Sequence, residues 1–184
     1  MALQYPDLDG TTRQYMLEEL ELDIKEGRLY ISPRLSGKGV ADYAALLRSA
    51  MESGDDTSLA AELRKEGRLN ATEQRRKPKG GYTTAAVPVT AADTLAEGEF
   101  NRFYARGLCR RTQVESDREL KVHRAKEVEN PRPQSEALIG STVDPEKLLL
   151  DLRQSIGIEP ALGVPPGPNS GLSVKIIKIL TTRN

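Results

Sequence analysis

Both phenylalanines of the chain, Phe100 and Phe103, fall within one stretch, and the sequence holds no tryptophan and only 4% aromatic residues. Aromatic side chains bury the most apolar surface per residue, so a core made from this sequence has to be organised around that stretch. The spacing there is helical. Phe100, Phe103, Tyr104 and Leu108 share one face and Asp93 stands where a cap belongs. A helix from Thr94 to about Arg111 is therefore predicted as the central packing element of the second half. Arg102, Arg106 and Arg110 follow at i, i+4 and i+8 and make a basic stripe on another face of the same helix.

Elsewhere the chain is heavily punctuated. Its 15 glycines and 11 prolines among 184 residues imply many turns and extended stretches, in one ordinary domain or two small ones. Met16, Leu17, Leu20 and Ile24 predict a first helix from about Thr12 to Glu26, closed by Gly27. "RLYIS", Arg28 to Ser32, reads as a short strand stopped by Pro33. A second helix is expected over Ala41 to Glu52 and a third over Thr57 to Glu66, started by Asp55, Asp56 and Thr57. "KEGRLY" and "KEGRLN", forty positions apart, nearly repeat. A helix C-terminus with a basic last turn and a glycine beyond it accounts for both, without a duplicated unit.

Residues 69–92 read as an extended basic arm. Pro88 removes a ladder donor, so any strand from Tyr82 to Val89 belongs on an edge. Beyond the central helix, "ELKVHRAKEV" predicts a strand with Leu120 and Val122 inward and Lys121 and His123 outward. "VDPEKLLLDLRQSIG" predicts a helix capped by Asp144, with Leu148, Leu149, Leu152 and Ile156 buried. "LSVKIIKIL" predicts a last strand from Leu172 to Leu180. The expected class is α+β: a helical region over 1–68, the arm over 69–92, and an α-β-α-β region over 93–184 with a small mixed sheet.

The formal net charge of zero hides segregation. Residues 1–62 carry 12 acids against 6 bases, 64–79 carry 7 bases against 2 acids, 102–126 carry 8 against 3, and 127–159 carry 7 acids against 3 bases. Nucleic-acid binders usually hold an overall positive excess, whereas alternating blocks suit contacts between copies. No apolar run reaches the roughly 18 residues of a membrane span, and the N-terminus has no secretory pattern. Cys109 stands alone, so no disulfide-linked partner is expected and a cytoplasmic setting, or a particle assembled there, is the natural reading.

Catalytic patterns are weak. One His and one Cys cannot build a zinc site, the acids lack calcium-loop spacing, and "LSGKGV" and "GVPPGPNSG" both miss the phosphate-loop pattern, so no cofactor is expected. His123 reads as a solvated strand residue and Cys109 as a small core residue. "EVE", Glu127 to Glu129, reads as a polar strand end. Glu119 and Lys121 on a strand, with Asp117 nearby, have the acid-x-lysine form of metal-dependent nucleases, which also need a carboxylate from a neighbouring strand. The strongest departure from chance is basic: Arg75, Arg76, Lys77 and Lys79 around Pro78, with the Arg102, Arg106, Arg110 stripe. Guanidiniums one turn apart can hold successive phosphates, or can pair with acids, including those of another copy. These features lead to an expected non-enzymatic subunit of a homo-oligomeric assembly, with a virion-type or phage-derived shell as the architectural analogy. The alternative is a nucleic-acid binder or metal-dependent nuclease using the basic segment and the Glu119–Lys121 strand.

Overall fold

The computed structural model describes residues 3–65, 67–115, 117–158, 160–165 and 170–179. Three helices open the chain: α1 (Gly10–Lys25), α2 (Gly37–Ser53) and α3 (Asp56–Leu63). Each starts on a side chain that accepts an otherwise orphaned backbone N–H: Asp9 from Thr12, Ser36 from Gly39, and Asp55 from Ser58 in a reciprocal capping box. The Ser36 cap explains why α2 begins four residues before the expected Ala41. Glu66, the expected end of the third helix, lies outside the described residues.

A hairpin follows, β1 (Thr72–Arg76) and β2 (Tyr82–Ala86), and then the long helix α4 (Ala91–Val114). The remainder is β3 (Arg118–Arg124), α5 (Pro133–Leu138), β4 (Thr142–Val143), α6 (Pro145–Gln154) and β5 (Leu172–Lys178). Leu180, the expected last strand residue, lies outside the described residues.

The α+β class holds, with a helical first half and small sheets in the second. The three-stranded sheet has the order β4-β3-β5, and both pairings are antiparallel, not the mixed sheet expected. Leu172 at the start of β5 lies beside Arg124 at the end of β3, so the two strands run in opposite directions. Arg28 to Ser32 is not a strand either. A strand needs a ladder partner, and this segment packs Leu29 and Tyr30 against the core instead, with Tyr30 on Gly157.

α4 is the axis of the molecule. It touches α1, α3, α6, β3 and β5, and Phe100, Phe103, Tyr104 and Leu108 are all buried in one hydrophobic core that runs from Met16 and Leu47 to Leu152 and Val174. The helical half and the second half therefore share their interior. Gly107 permits the closest approach: a Cβ there would stand 2.8 Å from Met16 Cγ and 3.1 Å from the Thr12 carbonyl oxygen.

The first residues clamp helices to sheet, a role their sequence did not suggest. Gln4 N–H donates to the Ala125 carbonyl at 2.9 Å, Ile176 N–H donates to Asp7 at 2.8 Å, and Asp7 N–H reaches the Tyr104 hydroxyl at 3.1 Å. Tyr5 stands edge-on to Phe100 and Tyr104, with centroids 5.0 and 4.9 Å away. Among the described residues no helix is long and apolar enough to cross a membrane.

Candidate functional site

The basic segment is a ribbon, not a featureless arm. Thr72 pairs with Ala86, Gln74 with Thr84 and Arg76 with Tyr82; Gly80 and Gly81, at φ 90° and 75°, supply the left-handed backbone that closes the turn. Lys77 N–H donates to the Gly81 carbonyl at 2.9 Å. The root of the ribbon is fixed to the body through Glu73, which accepts from Arg34 at 2.6 Å, and through Asn70 N–H to the Arg34 carbonyl at 2.9 Å. Beyond that root nearly every residue is exposed.

Arg75 lies 2.7 Å from Glu73, whereas among the described residues Arg76, Lys77 and Lys79 take part in no ion pair or hydrogen bond of their side chains. Tyr82, opposite Arg76, is 68% exposed. The tip thus offers three uncompensated cations and one aromatic ring.

The arginine stripe goes elsewhere. Arg106 is fully buried, not at a surface where phosphate or another copy could reach it. Its Nε and one terminal nitrogen donate to Glu19 at 3.0 and 2.8 Å, and its guanidinium grips Asp23 at 2.6 and 2.9 Å. Arg110 donates to Glu19 at 3.0 Å, and Arg153 of α6 donates to the same carboxylate at 2.9 and 2.5 Å. Arg102 is also buried and donates to the Leu152 carbonyl at 2.5 Å. Acid pairing, weighed in the sequence against phosphate contact, is what Arg106 and Arg110 do, but with α1 of their own chain. The signal was present: Glu19 and Asp23 sit four residues apart, matching the arginine spacing. Burial raises the Glu19 carboxyl, and the Arg153 hydrogen bonds followed by the Arg106 charge outweigh it, holding Glu19 down at about 2.

The nuclease-like group does not converge. Glu119 faces Ile177 across the ladder, and Lys121 faces Lys175 on one side and Thr142 on the other, so neither flanking strand offers the second carboxylate there. Asp117 is exposed, its carboxylate 3.7 Å from Arg118. Among the described residues no three of His, Cys, Asp and Glu cluster as metal ligands would. His123 is half-buried, not solvated as the alternation suggested; burial, then the Lys175 charge, pushes its pKa down. Cys109 is fully buried in the core, where burial pushes its thiol well up.

One further feature had no sequence signature: a cleft beside the first half of α4, lined in part by Glu99 and Arg102. In comparisons with protein-family models, curated proteins and solved structures, nothing matches this chain.

Proposed function

We propose that this chain is a non-enzymatic structural subunit of a homo-oligomeric assembly, joined to its neighbours by the β1–β2 hairpin. The observation that carries this reading is a ribbon whose tip holds three cations with no partner among the described residues. A two-stranded hairpin standing alone in water is marginal, and both its outer edges present backbone groups ready to pair. A second surface on the protein supplies the complement. Glu18, Glu21 and Glu52 line a shallow groove with Leu17 on α1, together with one cation, Arg13, whose guanidinium is held by the Ala50, Met51 and Gly54 carbonyls. Glu18 and Glu21 already meet Arg110 and Arg48, while Glu52 has no side-chain partner among the described residues. The hairpin of one copy fits this groove in charge, with Tyr82 against Leu17.

Light scattering on the intact chain tests it. Mass above the monomer is expected at about 50 mM salt and a decrease at about 500 mM, since exposed ion pairs are screened over a Debye length. Replacing residues 75–83 by Asn-Gly keeps the Gln74–Thr84 pair as the last rung and should leave a folded monomer. A monomer at both salt concentrations would sink the proposal.

The second reading is nucleic-acid binding by the same ribbon, favoured by the clustered cations beside an exposed ring. It predicts a salt-dependent shift of labelled DNA by a monomer, lost in the same replacement.

A further inference from the structure

A cleft of about 430 Å³ lies between the first half of α4, the segment from Tyr30 to Arg34, and the chain leaving α6. Much of its wall is apolar, including Tyr30, Leu95, Ile158 and Pro160. Two charged side chains on the wall, Glu99 and Arg102, feel each other's charge, yet among the described residues neither makes an ion pair within 4.0 Å. Glu99 is only 7% exposed, yet among the described residues no hydrogen bond or ion pair reaches its carboxylate. Arg102, one turn further along α4 and also 7% exposed, makes a single hydrogen bond, to a backbone carbonyl, and no ion pair. The other charges of the lining are already used: Arg34 by Glu73, Glu97 by Lys126, and Arg132 by contacts of its own. A largely buried carboxylate with no hydrogen-bonded partner, in a concave and mostly apolar cleft, is the kind of group around which a ligand site is built.

We infer that this cleft binds a small zwitterion with an apolar body, of the class of an aliphatic or aromatic α-amino acid, its ammonium on Glu99 and its carboxylate on Arg102. A simple cation would meet Arg102, and above about pH 7 a simple anion would meet ionised Glu99, so a ligand carrying both charges is the best complement there. The apolar wall matches the side chain of such a molecule.

Binding should also move protons. Burial raises the Glu99 carboxyl to about 7; the Arg102 and Arg106 charges oppose this and Asp23 on α1 adds to it. An ammonium seated on Glu99 favours the carboxylate, so affinity should rise between about pH 6 and about pH 8 and binding should release protons.

Calorimetric titration of the intact chain with L-valine, L-leucine and L-phenylalanine tests this, with 3-methylbutylamine and 4-methylpentanoate as one-charge relatives of leucine. At least one amino acid should bind, and for leucine each relative should be roughly tenfold weaker or more. Glu99→Gln should cost a similar factor and abolish the pH dependence, while far-ultraviolet circular dichroism stays native. No binding by any of the three amino acids at about 10 mM, equal binding by either relative, or an unchanged Glu99→Gln affinity would each overturn the assignment.

Discussion

Glu19 and Glu99 are both buried carboxylates, and their surroundings push them in opposite directions. Glu19, gripped by arginines from α4 and α6, is held at about 2 against an ordinary 4.5. It contributes stability above its unfolded pKa, and that contribution, on the order of 3 kcal/mol, disappears as pH falls from about 4.5 to about 2. Glu99 is raised to about 7, so its protonated form is favoured by folding, and stability is lost as pH rises from about 4.5 through about 7. Equilibrium denaturation should therefore show Glu19→Gln destabilised by roughly 3–5 kcal/mol at neutral pH, because buried Arg106 loses part of its compensation. Glu99→Gln should gain roughly 2–3 kcal/mol above pH 7 and almost nothing near pH 4. Equal stability of either variant and the parent at about pH 8 would contradict the assignment. The sequence made the arginine stripe visible but not its destination, since a stripe facing water and one facing Glu19 and Asp23 have the same spacing.

Elements defined by local chemistry were legible, and those defined by distant partners were not. Asp55, Asp144 and Gly27 mark helix ends in the sequence and cap or terminate helices in the structure, because capping involves only neighbours along the chain. The segment from Arg28 to Ser32 has strand composition but no strand beside it, a fact no local pattern carries. The first residues, read only for what they lacked, tie α4 to the sheet through contacts 97 and 169 positions away. The glycines of α4 give a test at this scale. Gly98 has nothing within 4 Å of its absent Cβ, so Gly98→Ala should stabilise by up to about 1 kcal/mol through helix propensity alone. Gly107 faces Met16 and the Thr12 carbonyl, so Gly107→Val should cost roughly 2–3 kcal/mol by wedging α1 from α4. Urea unfolding of both variants checks the pair, and a Gly107→Val protein as stable as the parent would show that the two helices are not so closely seated.

At the scale of the whole molecule, the alternating charge blocks are largely consumed inside the chain. Arg106, Arg110 and Arg111 of the 102–126 block meet Glu19, Asp23, Glu18 and Asp9 of the acidic first third. Arg64 and Arg68 from the other basic block meet Asp93, Asp42 and Glu62. Arg76, Lys77 and Lys79 at the hairpin tip remain outside this internal pairing. Two sets of charge reversals should therefore behave differently. Changing Arg75, Arg76, Lys77 and Lys79 to Glu alters only exposed positions, each worth within about 0.5 kcal/mol, so the chain should stay folded. The reversed tip would then face Glu18, Glu21 and Glu52 of a neighbour with like charge, and association should be lost. Arg106→Glu instead places a third carboxylate against Glu19 and Asp23 in a site with no exposure, and the protein should fail to fold whatever its state of association. Circular dichroism and light scattering on the two variants give four readings, two for each. A folded Arg106→Glu monomer would mean that the network is dispensable, and a hairpin-reversed protein that still assembles would move the contact away from the ribbon.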